Sequence, residues 1–146
     1  MRIWHYRLLP YLPDAQFQGQ LRELVAIMRS WRDKGATNHL LINRATEYPK
    51  SELVKYFGLY CRVFSRRYGK NIRDNIYMEF LVFLGADNMH TAPCFDGWHN
   101  KEYLRVCMAN LYEKHVFGRG ASRISDKEWK RLLQGYREIT GEDYII

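Results

Sequence analysis

The chain has 146 residues, 47% of them hydrophobic, with four prolines and three cysteines. A chain of this length hides about two-thirds of its unfolded surface on folding, which excludes disordered, collagen-like and coiled-coil readings and fits one domain with its own core. Twenty-three Lys and Arg against sixteen Asp and Glu leave a formal net charge of +7, so polyanions are the first partners to consider.

The opening Met1-Arg2-Ile3-Trp4-His5-Tyr6-Arg7 is broken by charge, which argues against a signal peptide. Pro13 and Asp14 then open the first helix, with Asp14 as N-cap. Phe17, Leu21, Leu24, Met28 and Trp31 fall on one stripe of it, and Gly35 lies just past its end. Asn38 to Tyr48 reads as a loop or short turns, in which Thr37-Asn38-His39 is a helix cap or a polar site edge. Pro49 starts a second helix that turns Leu53, Phe57, Tyr60 and Phe64 inward and stops at Gly69. A third helix starts at Asp74 and uses Tyr77, Phe80, Leu81 and Leu84 before Gly85, although Phe80 to Leu84 also suits a short buried strand. That run is the longest uncharged apolar stretch, far too short to cross a bilayer.

Gly85 to His99 reads as a long loop, and loops of that length are usually functional or mobile. Asn100 caps a fourth helix with Leu104, Cys107, Met108 and Leu111 inward. Ser125-Asp126-Lys127-Glu128 fits a capping box ahead of a fifth, whose stripe is Trp129, Leu132, Leu133 and Tyr136. The expected architecture is all-α, a compact single-domain bundle of about five helices. The odd cysteine count, Cys61, Cys94 and Cys107, predicts reduced thiols in a cytoplasmic protein.

The positive charge is concentrated. Lys50, Lys55, Arg62, Arg66, Arg67, Lys70 and Arg73 face the single acid Glu52 between Lys50 and Arg73, and Lys114, Arg119 and Arg123 surround Gly118 and Gly120. Such clusters attract nucleic acid, and a solvated helix face is the other reading. Tyr56, Tyr60 and Tyr68 are interleaved with the first cluster and offer stacking surfaces. At helical spacing Phe57, Tyr60 and Phe64 belong to the core, which leaves Tyr68 open. Gly118-Arg119-Gly120 lacks the pattern of a phosphate-binding loop and reads as a basic loop touching DNA backbone. His90, Cys94, His99 and Cys107 are zinc-ligand types without a familiar ligand spacing. Local packing of the loop is the expectation there, and a zinc-dependent enzyme using His90, Cys94 and His99 the alternative.

Two short motifs remain, Met1-Arg2-Ile3 and Arg22-Glu23-Leu24. On the first helix Glu23 projects from a flank of the apolar stripe beside Gln16, Gln20 and Ile27, with Arg22 on the opposite flank. Alone, such an Arg-Glu pair is a solvated charge pair. Together with the helix carrying Lys55, Tyr60, Arg66, Arg67 and Gly69, and with Asn71-Ile72 after it, the two motifs make residues 1 to 72 resemble the pyrimidine-dimer DNA glycosylase family, the endonuclease V type of phage.

The resemblance implies a cofactor-free glycosylase and abasic-site lyase acting on double-stranded DNA with a damaged or abasic site. It implies the α-amine of Met1 as nucleophile, Glu23 as the assisting carboxylate, and Arg2 and Arg22 as phosphate grips. An α-amine has a reference pKa of about 8, roughly two units below Lys, so a useful fraction is neutral near pH 7. On charge grounds Lys55, Arg62, Arg66, Arg67, Lys70, Arg73 and Arg119 add DNA contacts.

The chain departs from the family pattern in several places. Arg2 should block removal of Met1, Gln16 stands where the family has a histidine, and Ala26 where it has an arginine. The interval from Arg2 to Glu23 is one residue longer, and the family's aromatic C-terminal segment is replaced by Glu142-Asp143-Tyr144-Ile145-Ile146. A non-catalytic nucleic-acid-binding protein is the competing reading.

Overall fold

The computed structural model describes residues 2–35, 40–89 and 92–146. Among them there is no strand: six α-helices, α1 (Asp14–Lys34), α2 (Leu40–Thr46), α3 (Lys50–Tyr68), α4 (Asp74–Leu84), α5 (Lys101–Val116) and α6 (Asp126–Thr140), are accompanied by 3-10 helices at Tyr6–Tyr11, ahead of α1, and at Gly120–Ser122, between α5 and α6. The all-α class holds. Two compact units are distinguished, Met1–Ile3 with Gln20–Asp96, and Trp4–Gly19 with Gly97–Ile146.

α1 belongs to the second unit up to Gly19 and to the first from Gln20 on, and it ends where expected: the Gly35 amide donates to the Trp31 carbonyl at 2.9 Å, with φ of +74° at Gly35. At the other end the amide of Phe17 donates to the Pro13 carbonyl at 2.9 Å, so Asp14 is the first helical residue rather than the cap. Its carboxylate still meets the positive end of the helix dipole. The buried face of α1 is Gln16, Phe17, Gln20, Leu24, Ile27 and Met28, while Leu21 and Trp31 are only half-buried. The stripe is thus rotated toward the two glutamines.

A helix, α2, occupies part of the segment expected to be loop; Thr37-Asn38-His39 lies outside the described residues. α3 follows Pro49 and stops at Gly69 in the left-handed conformation, φ +66°. Its inner face meets α4 through Phe57 and Phe80, whose rings stack at 3.8 Å between centroids and 6° between planes. The strand alternative for Phe80 to Leu84 falls with that helix. Its phase differs from expectation: Phe80 and Phe83 are buried, whereas Tyr77 and Leu81 are 45% and 39% exposed. Glu79 ties α4 to α1 by bonds from Arg29 Nε at 2.8 Å and Arg32 Nη1 at 2.9 Å.

The segment after α4 carries no helix or strand among its described residues, and its end is fixed to α3 by a carboxylate. Glu52, only 4% exposed, accepts from the amide of Phe95 at 3.0 Å and pairs with Lys55 Nζ at 2.9 Å. Lys55 also donates to the Ala92 carbonyl, and Tyr48 Oη to that of Asp96 at 2.8 Å. Phe95 is fully buried with φ of +51°, a left-handed conformation that a bulky residue adopts only when its surroundings impose it.

In the second unit the expected caps are present. Asn100 accepts from the Tyr103 amide at 2.9 Å, and Ser125 and Glu128 exchange both capping-box bonds, at 3.0 and 3.1 Å. Leu104, Cys107, Met108 and Leu111 line the inner face of α5, and Trp129, Leu132, Gly135 and Tyr136 that of α6, with Leu133 half-buried. The 3-10 helix at Tyr6–Tyr11 lies on α6 where Gly135 leaves room. A Cβ at Gly135 would stand 2.4 Å from Cγ of Tyr11.

Gly135→Ala should destabilise by about 1–3 kcal/mol through overpacking. Gly58→Ala, in the interior of α3 where an added Cβ meets nothing within 4 Å, should stabilise by about 0.5–1 kcal/mol. Glu52→Ala, which leaves Lys55 and the Phe95 amide without their carboxylate, should cost about 3–5 kcal/mol, and Glu52→Gln less. Urea unfolding midpoints check all four variants.

Candidate active site

The first unit brings the two short motifs together. The backbone amide of Arg2 donates to Glu23 Oε2 at 2.9 Å, and the carbonyl of Arg2 accepts from Gln20 Nε2 at 2.8 Å. Both partners stand on α1 three residues apart, hence on one face of the helix. The same Gln20 nitrogen lies 3.4 Å from Glu23 Oε2, and Gln20 Oε1 accepts from the hydroxyl of Tyr56 on α3 at 3.2 Å. Ile3, completely buried, anchors the segment next to this clamp. Residue 2 is therefore held by both of its backbone polar groups against a half-buried carboxylate. Met1 lies outside the described residues.

The expected DNA-binding cations differ in their surroundings. Arg22, Arg62, Arg66, Lys70 and Arg73 are exposed; Arg2 and Arg67 are half-buried, the Arg67 guanidinium lying 5.8 Å from the ring centre of Tyr68. Among the described residues, Arg62, Arg66, Lys70 and Arg73 have no ion-pair partner, and Arg62 and Arg66 lie one turn apart on the outer face of α3. Lys55 instead is spent on Glu52 and the Ala92 carbonyl. Arg119 belongs to the second unit, exposed ahead of the Gly120–Ser122 turn. Tyr60 is fully buried and burial pushes its hydroxyl pKa up, in keeping with the core role expected for it. Tyr68 is half-buried, with its ring edge-on to Phe64 at 4.9 Å.

The histidines and thiols considered for zinc have other surroundings. His90 lies outside the described residues. Cys94 is buried against the Glu52 carbonyl, 3.7 Å from Sγ, and burial pushes its thiol up to about 12. His99 accepts the Tyr6 amide on Nδ1 at 3.2 Å and stacks on His5 at 5.2 Å between centroids. Burial holds both imidazoles below their usual pKa, His5 at about 4. Among the described residues, no three or more His, Cys, Asp or Glu are grouped to hold a metal ion.

Sequence reasoning missed two members of the clamp. Gln20 was visible only as a flanking residue beside Glu23, and Tyr56 only as a possible stacking surface. A polar residue in phase with an apolar stripe is the signal that could have found Gln20. Gln16, in place of the family's histidine, donates to the Ser122 carbonyl at 2.9 Å in the second unit, and Ala26 is exposed.

The profile of the pyrimidine dimer DNA glycosylase family matches residues 1–76, more than half of the 146. The matched stretch holds Arg2, Gln20, Arg22, Glu23, Tyr56 and all the exposed cations of α3, whereas Arg119 falls outside it. No curated protein and no solved structure matches the chain. Among the described residues no helix is long and apolar enough to cross a membrane. The extent of the profile match, beginning at the two motifs that the fold joins, establishes that the chain belongs to the pyrimidine dimer DNA glycosylase family, enzymes of DNA repair.

Proposed function

We propose that this glycosylase also cleaves the strand at the abasic site it creates, with the α-amine of Met1 as nucleophile and Glu23 as the assisting carboxylate. The observation that carries the reading is the 2.9 Å bond to Glu23 from the amide of Arg2, the peptide nitrogen that joins Arg2 to Met1. The amine attacks C1′ of the damaged nucleotide; the new N–C1′ bond forms as the glycosidic bond breaks, and the base leaves with the bonding pair and a proton. Expulsion of the ring oxygen as a hydroxyl then gives an imine. Loss of a proton from C2′ forms the C2′–C3′ double bond while the 3′ phosphate departs, and water hydrolyses the imine to return the free amine.

Glu23 acts twice in this sequence. As an anion it stabilises the positive charge that develops on the sugar, and it then relays protons to and from the opening ring. Arg2 and Arg22 grip phosphates beside the lesion. Arg62, Arg66, Lys70 and Arg73, together with Arg67, hold the duplex by its backbone, a sequence-independent contribution that salt weakens, and Arg119 of the second unit is a phosphate contact in its own right. Lys55 supports this surface from behind through its pair with Glu52.

Two experiments test the proposal. Borohydride should trap a covalent complex between the chain with a free Met1 amine and duplex DNA bearing one abasic site. An N-terminally extended version should give none, and Glu23→Gln should form it slower by about 10²–10⁴-fold, the usual worth of a general acid-base group, while binding as tightly. Binding with no trapped complex from any version leaves the non-catalytic reading instead. Separately, replacing Arg62 and Arg66 by Ala should weaken duplex binding and lower the slope of log affinity against log salt by about two, one per lost phosphate contact. An unchanged slope removes these residues from the DNA interface.

A further inference from the structure

We infer that Gln20 and Tyr56 are positioning residues that hold Glu23 and the Arg2 backbone in reacting register. The inference rests on the reading of Glu23 as the catalytic carboxylate. Gln20 is 1% exposed and sits on the α1 stripe among Phe17, Leu24, Ile27 and Met28. An apolar side chain would fill that position without the penalty of taking an amide out of water, a penalty removed only if the amide is hydrogen-bonded. Packing alone therefore does not call for glutamine here. The bonds it makes converge on the site: Nε2 reaches the Arg2 carbonyl at 2.8 Å and lies 3.4 Å from Glu23 Oε2.

The amide can face only one way. Turned over, Oε1 would meet the Arg2 carbonyl and the Glu23 carboxylate, both acceptors, and the NH₂ would turn to the tyrosine. The Tyr56 hydroxyl donates to Oε1 at 3.2 Å from the opposite side and completes the bonding of that orientation. Tyr56 is itself fully buried, with its ring 6.1 Å from that of Phe95, the residue whose amide is bonded to Glu52. The relay thus runs from α3 through Gln20 to the two groups the chemistry needs at fixed separation. Misplacing such groups by about 1 Å costs on the order of 100-fold in rate.

The experiment measures single-turnover formation of the borohydride-trapped adduct on abasic duplex, together with duplex affinity and melting temperature. Gln20→Glu should slow trapping by about 100-fold, since it replaces the donor with a group that repels both partners. Tyr56→Phe should slow it by about fivefold, the worth of one buried hydrogen bond. Duplex affinity should be unchanged in both.

The discriminating arm places Tyr56→Phe in the Glu23→Gln background, where a relay that holds Glu23 as well as the Arg2 backbone predicts a smaller slowing than in the wild-type background. A residue that merely supports the fold would slow both backgrounds alike, and that result overturns the inference. So does wild-type trapping by Tyr56→Phe, which leaves the reading of Met1 and Glu23 intact. Failure of the wild-type chain to trap any adduct removes that reading and this inference together.

Discussion

A polar group taken out of water must find its partners in the fold, and in the first unit this requirement fixes most of what surrounds the site. Glu52 is the clearest case. Almost wholly buried, it draws in the amide of Phe95 and the ammonium of Lys55, and with them the end of a long irregular segment. Phe95 takes up a left-handed conformation to donate that amide, and its ring then lies against Tyr48 and Tyr56. Tyr56 in turn bonds to Gln20, and Gln20 to the Arg2 backbone beside Glu23. Each member is held by a partner that is itself buried or bonded, which is how a constellation keeps its geometry.

Pairing with acids also sorts the positive charge. Arg29 and Arg32 are neutralised by Glu79, whose carboxyl their hydrogen bonds hold down to about 2, together with Asp33 beside Arg32, and Lys55 is neutralised by Glu52. Arg62, Arg66, Lys70 and Arg73 remain exposed, and among the described residues no acid pairs with them. Part of the net positive charge is therefore expressed where the chain runs along and just beyond the outer face of α3. A surface of this kind attracts a duplex by counterion release whatever its sequence.

What the sequence disclosed depended on how local the signal was. The caps at Asn100 and at Ser125 with Glu128 are bonds between residues three apart, so both helices were legible with their inner faces. α4 was legible as an element but not in phase. Eight of its eleven residues are apolar, from Ile76 to Leu84 with only Glu79 between, and a helix apolar nearly all round carries no periodicity to say which face is buried. α2, seven residues long, is shorter than a periodic pattern needs. Gln16 and Gln20 displaced the stripe of α1 because buried glutamines do not register as core. The closeness of Arg2 to Glu23 is a contact across 21 residues. It was accessible through family resemblance alone, and the relay behind it through neither route.

The central claim is that the reacting amine is the α-amine of Met1, next to the peptide nitrogen that Glu23 holds. Mass spectrometry of the borohydride-reduced complex tests it most directly, after digestion of protein and DNA. The account predicts the sugar remnant on the N-terminal peptide, attached at its α-nitrogen. A remnant on a lysine side chain, Lys55 or Lys70 among them, would contradict it.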